Sequence, residues 1–201
     1  MKREVSAIIA GVGGQGVLFA SRVLANAAIS AGLDAKTFEV RGLAQRYGSV
    51  YSFVKMGDAV RSASIPRGGA DILLCLDFVE SLRFLDKLSH RSTVLLNDQH
   101  VPSPAEALGI QSPSLSEVVD ALRARCSNVV VVNASSLARE VGASRALNAV
   151  MLGGLAALDI LPLPAELLKE SLLRQSPRAF REINRKAFEK GLEVVSCRRR
   201  T

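Results

Sequence analysis

"EVSAIIAGVGGQGVLFASRVLANAAISAGLDAKTFEV", residues 4–40, decides the fold class. Residues 4–10 are a short apolar run of strand length, read as a buried β-strand. Four of the next six residues, Gly11, Gly13, Gly14 and Gly16, are glycine. Glycine loses more conformational freedom on folding than any other residue, so such a cluster marks a backbone that must turn sharply or be approached closely. From residue 15 to 31 apolar or small side chains recur at helical spacing: Val17, Leu18, Ser21, Leu24, Ala25, Ala28 and Ile29. Gly32 is placed to end that helix. Residues 35–40, AKTFEV, return to a strand pattern. Strand, glycine turn, helix and strand form a βαβ unit with an expected right-handed crossover.

The same punctuation continues. Residues 41–49, RGLAQRYGS, form a polar loop. Residues 49–57 read as a strand with one more exposed face, antiparallel or at an edge: Val50, Phe53 and Met56 set against Ser49, Ser52 and Lys55. Residues 71–77 (DILLCLD), 92–98 and 128–134 are apolar enough for buried inner strands. Helices are expected at 78–88, on Val79, Leu82, Leu85 and Leu88, and at 115–125. Beyond residue 134 the chain reads as helical. A short helix is capped by Ser135 or Ser136, an apolar helix spans 144–161, and another follows over 162–175. A last helix has Ser176 as N-cap, Pro177 in its first turn and Gly191 as its stop. The expected architecture is α/β: a single domain over 1–201, a three-layer α/β/α sandwich with a Rossmann-like, mostly parallel sheet and a helical C-terminal third. Ligands or partners should gather at the carboxyl ends of the strands, where the 11–16 and 41–49 loops meet Asp77, Asn97 and Asn133.

Composition narrows the chemistry. The chain has 201 residues, 48% hydrophobic, 22% charged and only 4% aromatic without tryptophan, so its core is aliphatic. No apolar stretch approaches the roughly 20 residues that span a bilayer. The basic start leads through a short apolar run into a glycine turn rather than a cleavage site, so a cytoplasmic chain is expected. The three cysteines, Cys75, Cys126 and Cys197, are too far apart for a disulfide framework or a C-x-x-C metal site. Of the net charge of +7, most resides between Arg174 and Thr201, with nine Lys/Arg against three Glu. No recognised nucleic-acid motif accompanies that tail, which reads as a solvated helix face.

Gly11, Gly13 and Gly16 satisfy G-x-G-x-x-G in the right context, after a strand and opening a helix. Helix-terminal amides favour an anion and the missing Cβ atoms let it come close. Glu39, near the end of the second strand, stands about 20 residues on, where a dinucleotide enzyme binds ribose hydroxyls. A stand-alone NAD- or FAD-binding oxidoreductase or regulator is therefore one reading. Against it, the chain has little room for a substrate domain and no obvious catalytic pair. Its two histidines, His90 and His100, read as surface residues in turns. A Walker A phosphate loop is excluded, because no Gly-Lys-Ser/Thr follows at the required spacing.

Two segments together carry a resemblance: the GxGGQG turn at 11–16 and the AQR-x-GS segment at 44–49, supported by NAVMLGGLAAL (148–158) and AFREINRKAFEKG (179–191). With them the chain resembles the gamma-subunit (domain III) family of 2-oxoacid:ferredoxin oxidoreductases, and within it the small (beta) subunits acting on indolepyruvate. The resemblance is strong over the first 58 residues and diffuse in the middle. Where the family usually has two glycines after the arginine, this chain has Tyr47-Gly48. The resemblance implies a subunit inactive alone, working with a large partner that carries thiamine diphosphate and iron–sulfur clusters. The complex would decarboxylate a 2-oxoacid, send two electrons to ferredoxin and release an acyl-CoA. The chain has no GDG…N motif and no cysteine cluster, so both cofactors are expected on the partner. This chain would complete the active site or the CoA channel. The implied interface loop comprises Gly11, Gly13, Gly14, Gln15, Gly16, Gln45, Arg46, Tyr47, Gly48 and Ser49, with no acid–base catalyst and no metal ligand among them. The glycine-turn amides would face an anion such as the CoA phosphates or a partner's backbone, with Gln15, Gln45 and Arg46 adding polar contacts.

Overall fold

The structure, a computed structural model, describes residues 4–42, 48–103 and 106–198. A six-stranded mixed sheet runs through it. The strands are β1 (Val5–Val12), β2 (Asp34–Arg41), β3 (Ser49–Gly57), β4 (Ile72–Cys75), β5 (Thr93–Asn97) and β6 (Asn128–Val132), in the order β2-β3-β1-β4-β5-β6. β1, β4, β5 and β6 are parallel, and β3 runs against both β1 and β2. The sheet is mostly parallel, as expected.

Side chains alternate between its faces with period two. Ala7, Ile9, Val54, Met56, Ile72 and Leu74 enter one apolar cluster, and Ile8, Ala10, Phe53, Leu73 and Cys75 the other. Five helices belong to the first face: α1 (Val17–Ser30), α3 (Ala134–Glu140), α4 (Leu147–Ala157), α5 (Ala165–Gln175) and α6 (Arg181–Arg198). The second face carries α2 (Leu115–Arg123) and a 3₁₀ segment, Val79–Phe84. The Ser114–Glu117 capping box fixes the start of α2. No helix among the described residues is long and apolar enough to cross a membrane.

Several local expectations are corrected. β2 is not the neighbour of β1, because β3 inserts between them. β3 is antiparallel but interior, and its faces alternate strictly: Ser52, Val54 and Met56 meet α1's layer while Tyr51 and Phe53 face the other way. Ser52 is buried there because its hydroxyl pairs with Ser21 of α1 at 2.7 Å. β6 is an edge strand rather than an inner one. Ile29 leaves the α1 stripe and is 57% exposed, its place taken by Ala20, Val23 and Ala27. Gly32 does end α1, at φ 77°.

The expected helix at 78–88 is 3₁₀ over Val79–Phe84. The spacing of its apolar residues, every third position, is that of three residues per turn. α3 is capped by Asn133, whose side chain accepts from the Ser136 N–H at 2.7 Å, and not by Ser135 or Ser136. The long apolar helix is shorter, a 3₁₀ turn at Ser144–Ala146 followed by α4. Ser176 closes α5 instead of opening the last helix, its hydroxyl donating to the Leu172 carbonyl. Gly191 does not stop α6, which continues to Arg198. Its missing side chain serves packing, because a Cβ there would strike the Val150 carbonyl of α4, as one on Gly153 would strike the Phe188 carbonyl of α6.

Candidate functional site at the glycine turn

The turn between β1 and α1 is built from its own atoms. Gly14 and Gly16 have φ of 100° and 81°, the left-handed region that other residues adopt at a cost. The Gln15 side chain folds back into the turn: Oε1 accepts from the Val12 N–H at 2.9 Å and Nε2 donates to the Leu76 carbonyl at 3.2 Å. A Cβ on Gly11 would lie 2.6 Å from that Gln15 oxygen, which is why this position is bare. From the far end of the chain, Asn148 of α4 donates to the Gln15 carbonyl at 2.7 Å. The remaining Asn148 side-chain oxygen is buried and has no hydrogen-bond partner among the described residues.

This packing leaves the start of α1 open. Gly16 is its N-cap, so no side chain caps the first-turn amides, and that turn carries no acidic residue. Such a terminus favours an anion. Gly14, Gln15 and Gly16 open directly onto a cleft of about 550 Å³. Its other walls come from α1 (Phe19), from the segment after β5 (Gln99 and Val101), from α3 (Ser135 and Arg139), from the turn and helix that follow (Arg145, Leu147 and Asn148), and from Phe180, Ile183 and Asn184 at the start of α6. Arg139 and Arg145 are exposed, and among the described residues no acidic side chain lines the cleft. Two guanidinium groups, a bare helix N-terminus and two phenyl rings make a site that can hold phosphate at one end and an apolar or aromatic group beside it.

The residues singled out from sequence divide. Gly14, Gln15 and Gly16 line the cleft, and Gly11 and Gly13 shape the turn behind it. The Gly13 N–H donates to the Gly48 carbonyl at 2.8 Å, so the second loop does return to the glycine turn. Gln45, Arg46 and Tyr47 lie outside the described residues. Ser49 points to the opposite face, where its hydroxyl donates to buried Glu80 at 2.5 Å, with Arg83 on the same carboxylate. Asn97 and Asn133 are tied into the backbone: Asn97 donates to Leu76 and accepts from Ala134, and Asn133 caps α3. Glu39 pairs with Arg41 on β2, a full strand away from β1, so it is not where a dinucleotide's ribose would lie.

Sequence reasoning missed Arg139, Arg145, Phe180 and Asn184, which reach the cleft only through the packing of α3 and α6. It also misplaced His100. That ring is only 17% exposed and its two nitrogens meet two carboxylates: Nδ1 lies 3.1 Å from both oxygens of buried Asp77, and Nε2 lies 2.9 Å from Glu106. Burial works against the charged ring, but the bonds to Glu106 and Asp77 prevail and raise its pKa above the usual 6.5. Glu106 is held down to about 2, chiefly by the Ser103 N–H and then by His100. Burial keeps Cys75 and Cys126 as neutral thiols. No group of three His, Cys, Asp or Glu side chains among the described residues is placed to hold a metal ion.

A mixed six-stranded sheet with a glycine turn at its carboxyl edge defines a Rossmann-like α/β protein. Comparison then narrows the class: the chain belongs to the pyruvate ferredoxin/flavodoxin oxidoreductase family, whose model matches residues 6–194. It falls among the small subunits of 2-oxoacid:ferredoxin oxidoreductases. It is 36% identical over 189 residues to indolepyruvate oxidoreductase subunit IorB of Archaeoglobus fulgidus, covering 94% of each chain. Among solved structures it is similar to the keto/oxoacid ferredoxin oxidoreductase gamma subunit of Geobacter sulfurreducens, with a TM-score of 0.71 at 25% identity over 96% of this chain and 99% of that one. It shares the fold of part of the 2-oxoglutarate:ferredoxin oxidoreductase of Magnetococcus marinus, solved with 2-oxoglutarate, coenzyme A and succinyl-CoA bound (TM-score 0.68, 20% identity, 98% of this chain and 32% of that one). The chain is thus one subunit of a multi-subunit 2-oxoacid oxidoreductase.

Proposed function

We propose that this subunit serves an oxidoreductase acting on indolepyruvate or a related aryl-pyruvate, and that its cleft receives the phosphate-bearing part of coenzyme A. The relatives' names support the substrate class. One observation carries the cleft assignment: an uncapped helix N-terminus opens onto a cleft that also holds Arg139 and Arg145 and, among the described residues, no acidic side chain. The α1 amides and the two guanidinium groups would pair phosphate oxygens, and Phe19 and Phe180 would flank the adenine. Thiamine diphosphate and the iron–sulfur clusters would reside on the large partner subunit and supply decarboxylation and electron transfer to ferredoxin. This chain's part is to bind and orient the thiol-bearing acceptor. The role is cytoplasmic, and no nucleic acid or membrane takes part in it.

The test is steady-state kinetics of the assembled enzyme, prepared without air, with indolepyruvate, CoA and a viologen acceptor. Replacing both Arg139 and Arg145 by alanine should raise KM for CoA about tenfold or more while KM for indolepyruvate stays unchanged. An unchanged KM for CoA would remove the cleft from CoA binding. A high-affinity NAD(H) complex of the isolated chain would revive the dinucleotide reading, which the placement of β2 disfavours.

A further inference from the structure

The cleft wall formed by Gln99 and Val101 hangs on one buried carboxylate. Asp77, at the end of β4, accepts from the Val79 N–H at 3.0 Å and the Val101 N–H at 2.7 Å, while the Phe78 N–H donates to the Gln99 carbonyl at 3.1 Å. Between those two contacts sits His100. Its Nδ1 faces Asp77 and its Nε2 faces Glu106, which in turn accepts from the Ser103 N–H at 2.8 Å. Phe78 packs against the ring, its centroid 5.5 Å away.

We propose that His100 is a positioning residue for the CoA cleft: as an imidazolium it latches the Gln99–Val101 wall between Asp77 and Glu106, and loss of one ring proton to solvent loosens that wall. This rests on the cleft being the CoA-handling face.

The chemistry is one of counting donors. An imidazolium has two N–H groups and satisfies both carboxylates. A neutral ring keeps one N–H. Its other nitrogen then turns a lone pair toward a carboxylate oxygen about 3 Å away, an acceptor facing an acceptor. Asp77 is fully buried and takes two backbone N–H bonds, whereas Glu106 is partly exposed and held by Ser103 and Ser112, so the Glu106 side gives way to water. The charged groups bearing on the ring are Asp77 and Glu106. Behind Asp77, Cys75 is a neutral thiol, and nearby Glu80 is taken up by Ser49 and Arg83. Gln99 also carries the tie to Ser135 across the cleft, so movement of this wall changes the cleft's width.

The experiment is a pH series on the assembled enzyme, reading KM for CoA against kcat, with hydrogen exchange of the 98–103 backbone amides corrected for the intrinsic effect of pH. In the wild type, exchange and KM for CoA should rise together on the alkaline side of one midpoint above pH 6.5, with kcat little changed. His100→Ala should show the high KM, about fivefold, at every pH, the scale of one lost hydrogen bond. Glu106→Gln should move that midpoint to lower pH, because it removes one of the two carboxylates that hold the ring charged, and the oxygen that faces the ring also accepts from the Ser103 N–H, so an amide donor cannot take its place. A purely structural role would not abolish the midpoint in one variant and move it in the other. Absence of the alkaline midpoint in exchange would overturn the latch whatever happens to CoA. A midpoint in exchange with identical KM curves for wild type and His100→Ala would overturn the positioning role. If instead the Arg139/Arg145 double variant leaves KM for CoA unchanged, the cleft assignment fails and takes the positioning role with it.

Discussion

The side-chain amide of Asn148 donates to the carbonyl of Gln15 at 2.7 Å, across 133 residues of chain, and so ties the first turn of α4 to the glycine turn. Gln15 is itself pinned at both ends of its side chain, to Val12 and Leu76. The turn that presents the α1 amides is therefore held from two sides, by the Gln15 side chain and by Asn148 of the cleft wall. Replacing Asn148 by alanine removes the donor and leaves the buried carbonyl to find water. We expect a loss of about 1–2 kcal/mol in denaturant unfolding. We also expect a higher KM for CoA without a change in KM for the 2-oxoacid. A stability loss with no kinetic effect would make the bond architectural only.

The α4–α6 crossing should tolerate no side chain at its centre. Gly153 and Gly191 each stand where a Cβ would fall on the partner helix's backbone carbonyl, of Phe188 and Val150 respectively, and backbone cannot yield as a flexible side chain can. Alanine at either position should destabilise by about 3 kcal/mol, the upper range for overpacking. At Gly14 space is open but φ is 100°, so alanine there should cost only the backbone penalty of about 1–2 kcal/mol. Thermal unfolding of the three variants checks the ranking.

The Asp77–His100–Glu106 group gives stability a pH dependence with two opposite limbs. The folded pKa of His100 is raised, so its contribution is fully present below the unfolded value of about 6.5 and is lost as pH rises through the higher folded value. The folded pKa of Glu106 is lowered to about 2, so its contribution is present above the usual 4.5 and is lost as pH falls toward 2. Melting temperature should thus decline from pH 6.5 upward in the wild type more than in His100→Asn. Parallel curves for the two proteins above pH 6.5 would contradict the shift.

Arg46 and Tyr47 belong to the loop whose end, Gly48, is held against Gly13. Arg46→Ala in the assembled enzyme should lower turnover about tenfold or more, as loss of a desolvated charge-assisted contact does. Tyr47→Gly should reorder preference among aryl-pyruvates if the ring lines the substrate pocket, and an identical ranking would place it elsewhere.

Much of the fold was legible because its signals are local. Period-two and continuous apolar runs locate the strands, Gly32 ends α1 through its positive φ, and the glycine cluster marks the turn at the carboxyl edge. The local misreadings also have local causes. Apolar residues at every third position from Val79 fit a 3₁₀ segment, and Asn133 lies two and three residues ahead of the serines that compete with it as caps. Gly191 reads as a helix stop only when α4 is out of view.

The sequence by itself determined the α/β class, the glycine turn and the family, because strand period, turn chemistry and motif spacing are properties of neighbouring residues. Only the tertiary structure decided that β3 enters between β1 and β2, because register and neighbour choice depend on which faces are buried together. Only it decided that Arg139, Arg145, Phe180 and Asn184 share a cleft with Gly14 and Gly16. It also decided that His100, a surface residue by its turn-rich neighbourhood, sits between two carboxylates. These groups are far apart in the chain, and what joins them is the packing of helices on one face of a sheet, a free energy that no short stretch of sequence contains.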